Sequence, residues 1–345
     1  MQNSLPLCVV VLAAGKGTRM KSARAKVLHE VFYRPMLHHV LDSVAPLEPL
    51  RTVVIVGHQQ EAVKAILSGY DVVCCEQKEQ NGTGHAVLCA QPLLADFRGT
   101  IMILCGDSPL LEPAHLEQMI ASHRRSGARL TIMTTVLRDP TNYGRIISDA
   151  DGAVKAVVEE KDASAEQRAI TEINAGIYIG EAAYLFSALS RVTTDNAQQE
   201  MYLTDIVSIA VEDGLRVNKF EHPHPSHVLG VNSKVELAQA HAEIRARRNN
   251  ELMANGVTML DPQTTTVGSN IAVGSGCTFA AQVTVIGSGS IGDNCRIEPG
   301  AYLCNSVIEN DVHIGANCVI TDRRVAAGTV IAPLTLLAGT AAEDI

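Results

Sequence analysis

The stretch Leu7-Cys-Val-Val-Val-Leu-Ala13, followed by Ala14-Gly-Lys-Gly-Thr-Arg-Met20, decides the reading of the fold. Its first half is an apolar run the length of one buried strand, which is what a strand covered on both faces requires. Its second half is a glycine-rich basic turn, within a loop running from Leu12 to Lys26. Gly15 and Gly17 let backbone N–H groups approach an anion closely. The turn is not a Walker A loop, and it is not G-x-G-x-x-G, because Met20 occupies the last glycine position. Lys16, Arg19, Lys21, Arg24 and Lys26 fall within eleven residues, and no Asp or Glu precedes Glu30. The whole chain carries a formal charge of −9, which argues against a general nucleic-acid or anionic-membrane binder. One basic pocket on an acidic protein points to a small, highly anionic ligand such as a nucleotide.

Working outward, apolar runs alternate with helix-like segments over the first 230 residues. Strands are expected at Leu7–Ala13, Thr52–Gly57, Asp71–Glu76, Thr100–Gly106 and Arg129–Leu137, and further on at Ala153–Glu160 and Glu172–Gly180. Helices are expected at Pro35–Ala45, Gln60–Leu67, Gly84–Leu94, Pro113–Arg125 and Leu203–Glu212. This is an α/β pattern with a mostly parallel sheet, and ligands are expected beyond the carboxyl ends of its strands. Ser233 to Asn255 is polar and helical with a weak apolar face, ended by Gly256, and reads as a connecting helix.

The last 80 residues change period. An aliphatic or aromatic residue recurs every six positions at Val267, Val273, Phe279, Val285, Ile291, Ile297 and Leu303. The phase slips by one to Ile308, Ile314 and Ile320, then again to Val325, Ile331 and Leu337. A strand would show period two and a helix 3.6, so six marks a parallel β-helix of hexapeptide repeats, here about four coils. Cys277, Cys295 and Cys318 each follow a repeat aliphatic by four residues and are expected to point inward as small side chains.

Other features narrow the class. No apolar run approaches the roughly 18 residues of a membrane span, and Met1 to Leu12 lacks the order of a signal peptide. Nine cysteines, an odd number without a C-x-x-C pair, read as reduced thiols, and the protein as cytoplasmic. His222, His224 and His227 lie in H-P-H-P-S-H and read as a structural loop rather than a metal site. Asp107 closes the apolar run Thr100–Cys105, placing a carboxylate at a strand end, although Pro109 makes a turn role credible too. Asn174, amid apolar neighbours, needs a partner if buried, whether a ligand or the backbone. Glu159, beside Glu160, Lys161 and Asp162, reads on its own as solvated surface.

L-A-A-G-K-G-T-R-M with Lys26-Val-Leu-His29 resembles the signature of sugar-nucleotide pyrophosphorylases. More narrowly, it resembles the bacterial bifunctional N-acetylglucosamine-1-phosphate uridyltransferase/glucosamine-1-phosphate acetyltransferase family. The resemblance continues in order through Gln77…Asn81-Gly-Thr-Gly-His-Ala86, Cys105-Gly-Asp107, Asn142-Tyr-Gly-Arg-Ile146, Val158-Glu-Glu-Lys-Asp162, Glu172-Ile-Asn-Ala-Gly176, Tyr202-Leu-Thr-Asp205 and Gly230-Val-Asn232.

The resemblance implies a Rossmann-like nucleotidyltransferase domain over residues 1–232, a connecting helix over 233–256, and a short left-handed parallel β-helix over 257–345. It implies that Leu12, Ala13, Ala14, Gly15, Gln77, Gly82 and Thr83 hold the uracil and ribose of UTP, with Lys16 also on the substrate. Gly144, Glu159 and Asn174 would hold N-acetylglucosamine 1-phosphate. Asp107 and Asn232 would bind Mg²⁺, and Arg19 and Lys26 would act on the triphosphate. His85, in the Gly-Thr-Gly-His turn, reads on its own as orienting the loop rather than acting as an acid or base. The implied reaction makes UDP-N-acetylglucosamine, a cell-wall precursor, by in-line attack of the sugar phosphate on the α-phosphorus with release of pyrophosphate. A homotrimer through the β-helix is expected, and acetyltransferase activity is expected to be absent. The sequence departs from the family at Ala25, usually Pro, and at Cys105, usually Tyr.

Overall fold

A computed structural model describes residues 6–339, so the expected outer domain limits at residues 1 and 345 lie outside the described residues. The chain divides into two compact units. One holds the residues up to Glu30 together with Arg34–Leu237; the other holds Val31–Tyr33 and the chain from Ala238 onward.

The first unit is a nine-stranded sheet flanked by helices. In chain order its elements are β1 (Leu7–Ala13), α1 (Met36–Val44), β2 (Arg51–Val56), α2 (Gln60–Ile66), β3 (Val73–Glu76), α3 (Thr83–Cys89), β4 (Thr100–Cys105), α4 (Pro113–Ser126) and β5 (Leu130–Val136). There follow β6 (Arg145–Ser148), β7 (Val154–Val158), α5 (Ala165–Arg168), β8 (Glu172–Glu181), α6 (Ala182–Leu189), α7 (Asp205–Glu212), β9 (Val217–Glu221) and α8 (Pro225–Val228). The strand order is β9-β5-β8-β4-β1-β2-β3, with β6 paired to β8 and β7.

Strand β1 is parallel to both neighbours, its Leu12 opposite Ile55 on one side and Cys105 on the other. Val9, Val10 and Val11 are fully buried, as the continuous apolar run requires. Alternate residues serve opposite faces: Val10 packs into one core with Ile103 and Tyr178, while Val9 and Val11 pack into the other with Leu37 and Leu104. Strand β8 runs antiparallel to β4, β5 and β6, and its amino end at Glu172 meets the carboxyl end of β5 at Val136. The expected helix Gly84–Leu94 resolves into α3 and a separate 3₁₀ turn at Gln91–Leu94, where Pro92 withholds an amide hydrogen.

The second unit begins within α9 (Lys234–Ala254). Its helix ends as expected at Gly256, with φ of 93° and the Val257 N–H bonded back to Leu252 O at 3.1 Å, the closing bond of a Schellman motif. Leu252 packs into the same core as the repeat residues, and the buried Asn249 donates to Pro262 O and Thr265 O, each at 2.8 Å. Among the described residues, fourteen short strands then form three parallel sheets of five, five and four. The repeat is therefore longer than about four coils, because Thr258–Met259 already pairs with Thr278–Phe279 ahead of the first hexad residue recognised in the sequence.

After a first coil of 20 residues, Thr258↔Thr278, the coils keep an 18-residue register, as in Thr278↔Arg296, until Ser290↔Val307 and Arg296↔His313 shorten it to 17. The lost residue falls between Leu303 and Ile308, where Asn305 takes a left-handed φ of 49°. Cys277, Cys295 and Cys318 point inward, and each thiol donates to a backbone carbonyl one coil on, at Gly292, Glu309 and Ala332 respectively. Among the described residues, no helix is long and apolar enough to cross a membrane.

Candidate active site

The basic loop and the residue after β4 meet at the carboxyl edge of the sheet. The Gly106 N–H donates to Leu12 O at 2.9 Å, tying the two loops together. Gly17 has φ of 62°, and a Cβ there would fall 2.5 Å from Lys26 Cβ, so only glycine lets the loop pack on Lys26. The Lys26 ammonium forms an ion pair with the Asp107 carboxylate and donates to Asn232 Oδ1 at 2.6 Å. Arg19 Nη2 donates to the same Asn232 oxygen at 2.7 Å. Asn232 is itself held: its Nδ2 donates to Gly230 O at 2.8 Å, and its N–H donates to Glu236. Four residues from three separate segments thus converge. Ala13 and Ala14 are buried behind the loop, whereas Gly15 and Lys16 are exposed on it.

Ala25 stands where the family usually has proline. Its φ of −55° is one proline would adopt, and its N–H, which proline lacks, donates to Gln59 Oε1 at 2.8 Å. A hydrogen bond thereby replaces a ring as the brace of this loop.

Gln77 follows β3, is buried, and donates to Gly82 O at 3.1 Å with His85 Nδ1 also at 3.1 Å. His85 thus braces this loop. Gly82 takes φ of 106°, and a Cβ there would strike the Met201 backbone. Thr83 Oγ1 accepts the Leu203 N–H at 3.0 Å, clasping this turn to the 200–203 segment. Gln80, which donates to Gln77 O, and Ala14 would both crowd a Cβ at Gly57, so Gln77 and the basic loop share one neighbourhood.

A second group is built on β6, β7 and β8. Gly144 O accepts the Asn174 N–H at 2.9 Å, and a Cβ on Gly144 would lie 3.5 Å from the Glu159 carboxylate. The pairing of β8 with β5 slips between Asn174 and Tyr178, where Gly176 has φ of 76°. Such a bulge re-aims side chains beside a site. Asn174 Nδ2 donates to Tyr178 OH at 2.6 Å and its Oδ1 accepts the Gly176 N–H at 3.0 Å. The amide is thus pinned by the protein, with one N–H remaining for another partner. Glu159 is not solvated surface: burial pushes its carboxyl up, with Asp205 adding to the effect and the Thr204 hydroxyl opposing it. Cys105 Sγ lies 3.1 Å from where a Gly176 Cβ would sit, and burial together with Asp107 pushes its thiol up to about 12. It is an inert packing group here.

Three residues with clear local roles were not singled out from the sequence. Tyr143, its phenol pushed up by burial, lies beside Arg19, Asp107 and Asn232, which sets the Gly144 turn next to the Asp107 cluster. Gly230 leaves no room for a side chain, because a Cβ would fall 2.6 Å from Asp107 Oδ1. Glu236 accepts the N–H groups of Asn232 and Ser233 while Ser233 Oγ accepts the Glu236 N–H at 3.1 Å, a capping box at the start of α9. The spacing Ser233-x-x-Glu236 was a legible signal for that last one.

A basic glycine loop, a carboxylate at the end of a parallel strand and a repeat β-helix define a nucleotidyltransferase carrying hexapeptide coils. Residues 8–224 match the family described as Nucleotidyl transferase, and residues 288–322 match Bacterial transferase hexapeptide (six repeats). The chain is 48% identical to Bifunctional protein GlmU of Desulfotalea psychrophila, covering 95% of this chain and 96% of that relative. It is 39% identical to the protein of the same name from Pelobacter propionicus over 98% of this chain and 74% of the relative. For the Shouchella clausii protein of that name the figures are 42%, 94% and 71%. The chain belongs to the nucleotidyltransferase family that contains these GlmU proteins.

Proposed function

We propose that the enzyme transfers a uridylyl group from UTP to N-acetylglucosamine 1-phosphate, giving UDP-N-acetylglucosamine and pyrophosphate with Mg²⁺ as cofactor. The observation that carries this reading is the convergence of the Asp107 carboxylate and Asn232 Oδ1 on one cation, the Lys26 ammonium, beside the glycine loop. Two hard oxygens aimed at one point suit Mg²⁺, which takes one or two protein ligands and fills its remaining positions with water and substrate phosphates. Asp107 and Asn232 would hold it, and when bound it would neutralise charge on the phosphate oxygens.

The chain's own groups supply positioning and charge. Arg19 and Lys26 lie where a triphosphate entering along the glycine loop would meet them, and they stabilise the negative charge that grows on the leaving pyrophosphate. A phosphate oxygen of the sugar 1-phosphate attacks the α-phosphorus; the new P–O bond forms as the bond to the β-phosphate oxygen breaks. A phosphate monoester is already mostly ionised at neutral pH, so the mechanism requires no general base. Gly144, Glu159 and Asn174 form the pocket we assign to the N-acetylated sugar, and Gln77, Gly82 and Thr83 with Leu12–Gly15 the one we assign to the nucleoside.

The assay is pyrophosphate release from each nucleoside triphosphate paired with each of several sugar 1-phosphates. Preference for UTP with the N-acetylated sugar supports the proposal; preference for another pair replaces it, and no release with any pair leaves a sugar-nucleotide-binding protein. We further propose a cytoplasmic homotrimer joined through the β-helix. Val319 and Leu336, stacked in register and exposed on one of its faces, support association there; a sedimentation mass of one chain would contradict it. Incubation with glucosamine 1-phosphate and acetyl-CoA tests directly for a second, acetyl-transfer activity.

A further inference from the structure

Three histidines gather at the edge of the first unit's sheet, outside every residue assigned above. His115 comes from the first turn of α4, His222 directly follows β9, and His227 lies in α8. One ring nitrogen of each lies within 4.8 Å of those of the other two. His222 is buried and the other two are half-buried, which leaves the cluster a side open to solvent. The His115 ring stands edge-on to His222 at 4.3 Å, and His227 lies 5.3 Å from His115.

His222 is fixed on the sheet: its N–H donates to Thr134 O and its carbonyl accepts from Thr135 Oγ1, each at 2.8 Å. Its Nδ1 accepts the His224 N–H at 3.1 Å in one tautomer, and in the other would donate to His224 O at 3.0 Å. In the tautomer that donates Nδ1–H to the His224 carbonyl, Nε2 presents a lone pair, the arrangement that orients metal-binding imidazoles.

We propose that His115, His222 and His227 form a binding site for a divalent transition-metal ion of the zinc class. Imidazole donors suit zinc, copper and nickel, whereas Mg²⁺ prefers oxygen, so this site is chemically distinct from the Asp107–Asn232 pair. With Zn–N bonds of about 2.0–2.1 Å, tetrahedral ligand nitrogens stand about 3.4 Å apart. Side-chain rotations of order 1 Å close the observed spacing to that value. Glu112 Oε2, 4.0 Å from His115 Nε2, supplies a carboxylate beside the three rings. The ion would clasp α4 to the segment after β9. That segment delivers Asn232, five positions beyond His227, and its Val231 N–H donates to Asp107 O at 2.8 Å.

The test uses the full chain stripped with a chelator and titrated with Zn²⁺ and, separately, Co²⁺. One Zn²⁺ per chain is expected, together with Co²⁺ ligand-field bands lacking the thiolate charge-transfer absorption that the nine cysteines would give. His227→Asn and His115→Asn should each weaken binding at least about tenfold, the loss seen when even an outer partner of a ligand is removed. Zn²⁺ at a hundredfold excess over its Kd should raise the wild-type Tm by about 4 °C. The variants should lose that rise while keeping the metal-free Tm of the wild type. No stoichiometric binding, a thiolate band, or binding unchanged in both variants would overturn the site.

Discussion

Arg145 is fully buried, and its guanidinium meets Glu160 Oε2 at 2.7 Å across the β6–β7 hairpin. The pair flanks two residues that face each other, Gly144 before Arg145 and Glu159 before Glu160. The same guanidinium also donates to Tyr143 O and Arg168 O. Breaking such a pair leaves an uncompensated buried charge. Arg145→Met and Glu160→Gln should each cost about 3–5 kcal/mol of stability. In a denaturant-melt double-mutant cycle the losses should fall well short of additive; full additivity would mean that the two residues do not act together.

Lys26 stands where the oxygens of Asp107 and Asn232 converge, so in the free enzyme it competes with a metal ion for them. Removing one positive charge at contact distance is worth several kcal/mol at an effective dielectric of 20. Lys26→Met should therefore tighten Mn²⁺ binding to the nucleotide-free protein by about tenfold or more, read by electron paramagnetic resonance. Pyrophosphate release should fall in the same variant. Unchanged or weaker Mn²⁺ binding would refute the competition.

Gly230 lies against Asp107 with no room for a methyl group, yet its backbone has no left-handed strain that alanine would aggravate. Gly230→Ala should push the carboxylate out of line and lower kcat by about a hundredfold, the effect of a misplacement near 1 Å. Thermal stability should change little. A variant with wild-type kcat would show that the carboxylate tolerates displacement.

Asp205 opens α7, where a helix N-terminus favours the charged form. Burial and the Asp162 carboxylate nevertheless push its pKa up to about 6. A raised carboxyl pKa contributes most to stability below its unfolded value of about 3.9, and loses that contribution as pH rises through about 6. Asp205→Asn should thus gain Tm relative to the wild type between pH 4 and pH 7. A Tm difference constant over that range would place the Asp205 pKa near its ordinary value.

Much of this architecture was legible where burial wrote itself into residue type. The run Leu7–Ala13 is a strand to the residue, and the six-residue period exposed the β-helix together with its one-residue slips. Strand β9 was missed because Val217-Asn-Lys-Phe-Glu221 is only partly buried and mixes polar residues into its inner positions. Glu159 looked like surface because charge signals exposure until a partner or a pocket is known. His115 could not be joined to His222 and His227 from sequence, since only the packing of α4 beside β9 brings it there. The place of Asp107 just beyond a strand's carboxyl end, by contrast, was readable, because Ile101 to Cys105 before it is an unbroken apolar run.

The most direct test of the central claim is Mg²⁺-dependent pyrophosphate release from UTP and N-acetylglucosamine 1-phosphate by the wild type and by Asp107→Ala. The account predicts robust release by the wild type, abolished by a chelator and reduced by about a hundredfold or more in the variant. Equal, Mg²⁺-dependent release by both proteins would contradict it.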